Sequence, residues 1–355
     1  MALANRIDPE PAGPALERWL GRHLGAEVSV SDVSVPVSSG LSCETVLFAA
    51  QERRYVARVA PADGTGLFPT YWLEDEARIM RALAEHTAVP APRVVGVELD
   101  PSVLGGRFLV MEHIDGRVPP DDPPYSMAGW VLELSPAAQH RLIDNAIRTI
   151  VEVSRIDWAA LDLSLSRVGV AEQVGFLDHL HETGHRGTPH PTITAGLDYL
   201  RTHLPEGEEL ALSWGDARIG NMLFAEDVSV VGALDWELAS IGSRELDIAY
   251  FLYALRLWST GYGAPSPPGF PDRAAILDRF EELAGQPVRN LDYYERFAAV
   301  FGAIAVLRAG HLMVEAGILP ADSAMWLTNP ASVMLAEYLG LPAPTGAVTG
   351  WAGHR

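Results

Sequence analysis

The spacing of the apolar residues changes once along the chain, and this change limits the fold more than any other feature of the sequence. Up to about residue 114, short β-prone segments surround a single helical segment, residues 72–83. Beyond residue 125, apolar residues recur mostly at intervals of three and four, as in amphipathic helices. A strand-rich part followed by a helix-rich part predicts an α+β fold.

The strand-rich part predicts five strands around one helix. The predicted strands are residues 28–35, 45–48, 55–59, 94–99 and 108–114, the first two forming a hairpin. Another helix precedes them. We expect it to begin near Pro14 and to end at Gly25, because proline is tolerated in the first turn of a helix and glycine favours its end.

The helix-rich part follows a segment rich in glycine, proline and aspartate, residues 115–125, where we place the boundary between two lobes. A chain of 355 residues, at roughly 150 residues per domain, fits two lobes. We therefore predict a helical extension (residues 1–26), a strand-rich lobe (27–114) and a helical lobe (115–355). In the helical lobe, one predicted helix begins at Pro136, and the others span residues 174–183, 192–203, 246–258, 274–284, 291–315 and 331–339.

Composition excludes several classes of function. A net charge of −20 repels nucleic acid and anionic lipid, so neither is an expected partner. The longest apolar run, residues 297–307, is about half of the roughly 20 residues that a membrane-spanning helix needs, so we expect no membrane span. The single Cys43 and an opening segment without a basic and then an apolar stretch predict a cytoplasmic protein.

The spacing of three polar residues between the predicted helices indicates a catalytic site. Asp216 and Asn221 stand five residues apart in a loop containing two glycines, and Asp235 follows after a short Val-rich strand. Mg²⁺ takes hard oxygen ligands and shares them with phosphate oxygens. Protein kinases carry a catalytic Asp, an Asn five residues later and then a metal-binding Asp in this order. The spacing therefore predicts Asp216 as catalytic base and Asn221 and Asp235 as ligands of Mg²⁺.

The sequence around these residues resembles that of a known family. The segments WGDARIGN and ALDWELASIGSRELDIAYF are similar to the aminoglycoside phosphotransferase and choline kinase-like family, over a region from about Val28 to the C-terminal helices. The resemblance implies a bilobal protein-kinase-like fold, with a five-stranded antiparallel sheet plus one helix and a larger, mostly helical second lobe. It also implies that Asp247 supports the catalytic loop. The family usually has histidine where this chain has Trp214, which we interpret as a packing residue.

Within that family, the sequence motifs WGDAR and DWELA look most like the branch related to kinase domains fused to acyl-CoA dehydrogenases.

The resemblance also implies a nucleotide site in the strand-rich lobe. There the turn before the second strand would cover the phosphates, Arg58 would bind them with Glu76 as its ion-pair partner, and backbone groups near residue 112 would read the adenine. The predicted nucleotide-binding residues are Ser39, Gly40, Ser42, Arg58, Glu76, Glu112 and Ile114.

Together these features predict an enzyme that moves the γ-phosphoryl group of ATP to a hydroxyl of a small molecule, either aminoglycoside-like or a hydroxyacyl or other lipid-derived metabolite. Arg218, inside the loop, would neutralise charge on the transferring group. Trp214 and the arginine in place of the kinase lysine leave a nucleotide-binding pseudokinase as an alternative. A second alternative is a non-catalytic binding module for a small molecule. We interpret Cys43 as inert and the histidines 179, 181 and 185 as a solvated helix face.

Overall fold

A computed structural model describes residues 7–36, 42–163, 165 and 167–346. Its first part contains a helix, three strands, a second helix and two more strands. These are α1 (Pro9–Leu24), β1 (Val30–Ser34), β2 (Glu44–Ala50), β3 (Arg53–Val59), α2 (Leu73–His86), β4 (Val94–Glu98) and β5 (Phe108–Glu112). The strands form one antiparallel sheet in the order β1-β2-β3-β5-β4, which confirms the predicted five-stranded antiparallel sheet.

Several predicted boundaries in this part are wrong; helix α2, for example, ends at His86, three residues after its predicted end. Helix α1 begins at Pro9, five residues before Pro14, because the Asp8 carboxylate caps it by accepting a hydrogen bond from the Glu10 N–H at 3.0 Å. Strand β5 ends at Glu112 rather than at Ile114. There the His113 N–H donates to the carbonyl oxygen of Arg54, which lies next to the position paired with Glu112.

The second part is mostly helical, as predicted. Its helices are α3 (Trp130–Glu133), α4 (Pro136–Ser154), α5 (Val170–Gly184), α6 (Pro191–Thr202), α7 (Glu245–Leu257), α8 (Arg273–Ala284), α9 (Leu291–Glu315) and α10 (Pro330–Leu339). Between α6 and α7 lie four short strands, β6 (Leu210–Ser213), β7 (Met222–Phe224), β8 (Val230–Ala233) and β9 (Ser240–Ser243). β6 pairs with β9 and β7 pairs with β8, both antiparallel. These pairs bring the segments around residues 216 and 235 side by side.

The buried apolar residues form two clusters. The smaller cluster joins α1 to one face of the five-stranded sheet, where Trp19 of α1 lies 5.3 Å from the ring of Phe108. The larger cluster joins α2 to the helical part and includes Leu109 and Met111 of β5. The sheet is therefore covered by apolar contacts on both faces, and α2 is packed against the part of the chain that carries residues 216 and 235.

Among the described residues, one helix, α9, is long and apolar enough to cross a membrane by length and composition. In the structure, 72% of its most apolar window is buried, and it contacts helices α5, α6, α7 and α10. These contacts are those of a core helix. The predicted absence of a membrane span stays a prediction.

The histidines of α5 do not form the solvated face that we predicted. His179 is exposed, but His181 and His185 are only 5% and 8% exposed, because α5 packs against α6 and α9 on that side. The His181 Nε2 accepts a hydrogen bond from the His190 N–H at 3.4 Å. Burial, together with the neighbouring His185 and His190, lowers the pKa of His181 from 6.5 to about 4.

This burial predicts a pH dependence of stability. The unfolded chain takes up a proton at His181 near pH 6.5, whereas the folded chain does so only near pH 4. The free energy of unfolding should therefore fall as the pH drops through this window. We expect His181→Gln to reduce the difference in stability between pH 7.5 and pH 5 measured by urea denaturation. The exposed control His179→Gln should keep the wild-type difference, and a His181→Gln variant that also keeps it would contradict the prediction.

Candidate active site

The loop between β6 and β7 is fixed by one buried carboxylate. Asp247, in the first turn of α7, accepts hydrogen bonds from the Trp214 N–H (2.8 Å), the Gly215 N–H (2.9 Å) and the Ser213 hydroxyl (2.9 Å). Gly215 adopts a φ of 85°, and a Cβ there would lie 2.4 Å from the carbonyl oxygen of Leu238. The loop thus takes a conformation that favours glycine, and Asp247 supports it as the resemblance implied.

Trp214 joins this loop to the segment that carries Asp235. Its indole N–H donates to the carbonyl oxygens of Leu234 (2.9 Å) and Asp235 (3.2 Å). Its buried ring stacks on Trp236, with the ring centroids 5.0 Å apart. The side chain therefore packs against the Asp235 segment and cross-links the two segments, in agreement with its interpretation as a packing residue.

The structure brings Asp216, Asn221 and Asp235 together. The Asn221 side-chain nitrogen donates to the carbonyl oxygen of Asp216 at 3.0 Å, so the side-chain oxygen is the Asn221 atom that can bind a cation. The Leu234 N–H donates to the carbonyl oxygen of Asn221 at 2.9 Å, which aligns the two segments. Burial raises the pKa of Asp216; the Arg218 cation opposes this rise and the Asp235 charge adds to it.

The donor set fits Mg²⁺. Asp235 has a φ of 63°, an uncommon conformation for a residue with a side chain, and its carboxylate is partly exposed. Among the described residues, no group of three or more His, Cys, Asp or Glu side chains forms a metal site, so a closed site such as zinc uses is absent there. One carboxylate and one amide oxygen are the kind of ligands that Mg²⁺ supplements with phosphate oxygens and water.

Arg58 lies at the centre of a buried ion-pair cluster. Its Nη1 is 2.5 Å from Oε1 of the predicted partner Glu76, and its Nη2 is 2.8 Å from Oδ1 of Asp235 and 3.3 Å from Oε2 of Glu237. Burial and the nearby Asp235 charge raise the pKa of Glu237. Sequence reasoning missed Glu237, although its position two residues after Asp235 was a usable signal.

The predicted phosphate-covering turn is only partly described. Ser39 and Gly40 lie outside the described residues. Ser42 is buried, and its hydroxyl hydrogen-bonds to Glu237. The Cys43 thiol lies 3.9 Å from Glu237, and burial raises its pKa, which agrees with an inert thiol.

The predicted adenine-reading residues lie at the end of β5. The Glu112 N–H donates to the carbonyl oxygen of Arg93 at 2.8 Å, and the Glu112 carboxylate pairs with Arg53 at 2.8 Å. Ile114 is half-buried just beyond the strand, where the chain leaves the sheet. Both residues lie where the sheet passes into the connecting segment, and their contact with adenine stays a prediction.

Arg218 is held beside Asp216 by a second carboxylate. Its Nε is 3.1 Å from Oδ1 of Asp216, and its Nη1 is 2.6 Å from Oδ2 of Asp121. The Trp258 indole N–H also hydrogen-bonds to Asp121, and the Tyr250 hydroxyl hydrogen-bonds to Asp216. Sequence reasoning missed Asp121, Trp258 and Tyr250, since no spacing links them to residue 216.

Comparison with known proteins finds a family whose model matches most of the chain. The Phosphotransferase enzyme family matches residues 34–299. Mouse acyl-CoA dehydrogenase family member 10 is 29% identical over 309 residues, which cover 83% of this chain and 28% of that protein. Human acyl-CoA dehydrogenase family member 11 is 28% identical over 246 residues, covering 67% of this chain and 30% of that protein. The chain thus spans less than a third of these relatives, and they confirm the predicted branch.

Solved structures share the fold. A candidate aminoglycoside phosphotransferase from Ralstonia eutropha is 26% identical with a TM-score of 0.66, covering 94% of this chain and 96% of that chain. An aminoglycoside phosphotransferase in a ternary complex with ADP and hygromycin B is 17% identical with a TM-score of 0.54, covering 85% of this chain and 95% of that chain. These likenesses confirm the predicted kinase-like fold. With the family match over most of its length, the chain belongs to the Phosphotransferase enzyme family.

Proposed function

We propose that the protein transfers the γ-phosphoryl group of ATP to a hydroxyl of a small molecule, with Mg²⁺. The observation that carries this proposal is the meeting of Asp216, Asn221 and Asp235 beside Arg58, the cation contributed by the five-stranded sheet. Family membership supports a phosphotransferase in general. The nucleotide, the metal and the hydroxyl acceptor are parts of the proposal.

In the proposed reaction, Asp216 accepts the proton of the acceptor hydroxyl. A bond forms between that oxygen and the γ-phosphorus, while the bond from the γ-phosphorus to the β–γ bridging oxygen breaks and ADP leaves. The raised pKa of Asp216 makes it a stronger base than an exposed aspartate. Arg218, beside Asp216, would stabilise negative charge on the transferring group, and bound Mg²⁺ would neutralise charge on the phosphates.

Arg58 and Asp235 would exchange partners when the nucleotide binds. Their ion pair, at 2.8 Å, joins the proposed phosphate-binding cation to the proposed metal ligand. Phosphate oxygens compete for the guanidinium, and the metal competes for the carboxylate. Glu76, at 2.5 Å, would keep Arg58 in place during the exchange.

For the acceptor, we favour a hydroxyacyl or other lipid-derived molecule over an aminoglycoside. A largely apolar cavity lies against the catalytic loop, lined in part by Gly215, Leu238, Leu246 and Phe301. Apolar walls suit a hydrocarbon chain better than a polycation. The names of the relatives, acyl-CoA dehydrogenase family members 10 and 11, also support an acyl compound. A net charge of −20 would attract a polycation, but this charge is a property of the whole surface and does not define the cavity.

We propose a cytoplasmic location. The single cysteine, Cys43, is a free thiol, as is usual in a reducing compartment.

Two residues motivated the pseudokinase alternative, Trp214 and the arginine in place of the kinase lysine, and the contacts of Trp214 weaken the first of these reasons. Trp214 provides the cross-link between the catalytic loop and the Asp235 segment through its indole N–H. Incubation with Mg-ATP and a library of hydroxyl compounds separates the classes. A phosphotransferase releases ADP with at least one acceptor, and a pseudokinase or binding module releases none above background.

We expect Asp216→Asn to lower kcat by about 10²- to 10⁴-fold, because the amide cannot accept the acceptor proton. Nucleotide affinity measured by calorimetry should stay close to that of the wild type. The matched control is Asp227→Asn, an exposed carboxylate in the β7–β8 turn, which should leave kcat unchanged. Undiminished turnover by Asp216→Asn would remove the base assignment.

For Asp235→Asn we expect nucleotide affinity in Mg²⁺ to fall to the level that the wild type shows in EDTA. In EDTA the variant should bind ADP at least as tightly as the wild type, because Arg58 loses a competing carboxylate. Isothermal titration with and without Mg²⁺ measures both effects. Wild-type affinity in Mg²⁺ would rule out Asp235 as a metal ligand.

A further inference from the structure

A cavity beside the catalytic loop contains polar groups that the proposed reaction does not use. It lies between α5, α7 and α9 and the end of β6, with about 450 Å³ of empty space including the solvent at its mouth. Its walls are mostly hydrocarbon, and they include the apolar side chains of Phe176, Leu177, Leu238, Leu246, Phe297 and Phe301. Against these walls stand the side chains of Arg167 and Gln173.

Arg167 is a buried cation with unused donors. It is 7% exposed, and its Nη2 donates to the carbonyl oxygens of Leu238 (2.9 Å) and Ala239 (3.2 Å). Its Nε and Nη1 are buried without a hydrogen-bond partner among the described residues. The charge of Asp75, which pairs with Arg78 at 2.9 Å, acts to raise the pKa of Arg167, but no carboxylate of the described residues lies within ion-pair distance of it. Burial lowers its pKa to about 10, so the guanidinium stays charged at neutral pH. The ring of Phe176 lies 4.2 Å from it.

Gln173 adds a second unused donor to the same cavity. It is 6% exposed, and its Nε2 is buried without a partner in the described structure. Buried N–H groups are nearly always hydrogen-bonded, because an unpaired one has lost its contacts with water. Two such side chains in one cavity leave donors that a ligand with acceptor oxygens would satisfy.

The remaining polar groups that line the cavity are already engaged. Asp247 accepts three hydrogen bonds from residues 213–215, one of them from the Ser213 hydroxyl, and the Tyr250 hydroxyl bonds to Asp216. The lining groups left without hydrogen-bond partners among the described residues are therefore all donors, and donors need acceptor oxygens. A cation without an ion-pair partner favours an anionic acceptor group over a neutral one.

We propose that this cavity binds the carboxylate end of the acceptor, an apolar hydroxycarboxylic acid, with Arg167 and Gln173 as donors. The inference rests on the proposed function and names the class of its acceptor. Tyr250 lines the cavity and hydrogen-bonds to Asp216, so it joins the carboxylate site to the proposed base. The hydrocarbon between the carboxylate and the hydroxyl lies along the apolar walls.

The first test changes only the ligand and uses the wild-type protein without nucleotide. Isothermal titration compares hexanoate with hexanamide, which has nearly the same shape but no charge. We expect hexanoate to bind about tenfold or more tightly, as a hydrogen bond to a charged group does relative to a neutral one. Equal affinities, or no binding of hexanoate, would overturn the proposal.

The second test changes the protein. Arg167→Met should weaken hexanoate binding about tenfold or more and remove the preference over hexanamide, and Gln173→Leu should weaken hexanoate less. Arg148→Met, which removes an exposed guanidinium on α4, is the matched control and should bind hexanoate as the wild type does. Wild-type affinity in folded Arg167→Met would overturn the proposal. If that variant does not fold, the ligand comparison on the wild type decides.

A third measurement keeps this inference separate from the proposed function. With Mg-ATP, 6-hydroxyhexanoate is compared with its amide as phosphoryl acceptor. Carboxylate binding that needs Arg167, without ADP release from any acceptor, would contradict the phosphotransferase proposal and leave the carboxylate site standing. ADP release at equal kcat/KM from the acid and the amide would contradict the carboxylate site and leave the phosphotransferase standing.

Discussion

The structure depends on one buried cation that three acidic side chains share. Arg58 comes from the five-stranded sheet, Glu76 from α2, and Asp235 and Glu237 from the segment after β8. A buried charge is costly unless it is paired, so these four groups hold the sheet, α2 and the Asp235 segment in one relative position. Burial raises the pKa of Glu76 and of Glu237, which shows that negative charge is costly in this cluster. The Mg²⁺ that we propose for this cleft would add positive charge beside these side chains and stabilise their ionised forms.

A second set of contacts holds the loop between β6 and β7, which carries Asp216. Asp247 satisfies two consecutive backbone N–H groups, and Trp214 reaches the carbonyl oxygens of the neighbouring segment. With the backbone held in this way, Asp216 can be kept in an environment that raises its pKa. The indole N–H of Trp214 therefore ties the loop between β6 and β7 to the segment that carries Asp235. Rigid support of this kind would keep the Asp216 carboxylate in position for the proposed transfer.

The proposed site separates two environments. On the side of the sheet, acidic groups and Arg58 form a polar cleft suited to phosphates and metal. On the side of α5 and α9, apolar walls enclose a single guanidinium, Arg167. Tyr250 and Asp216 lie between the two, where a hydroxyl would meet the γ-phosphoryl group. In the proposed reaction, this division would let the metal and phosphates stay solvated while the acceptor loses water, which would favour transfer to the acceptor over hydrolysis.

The sequence by itself predicted the α+β class and most elements from the period of its apolar residues, and the Asp216–Asn221–Asp235 site from the spacing of three polar residues. The resemblance to a known family added the kinase-like fold and the Arg58–Glu76 pair. Sequence reasoning misplaced the start of α1 and the surroundings of His181, since capping and burial depend on individual contacts. The contact between Glu237 and Arg58 and the unpaired donors of Arg167 were decided only by the tertiary structure. Arg58 and Glu237 lie 179 positions apart in the chain, and Arg167 and Leu238 lie 71 apart. Linear patterns carry no information on which side chains meet over such separations, whereas packing does.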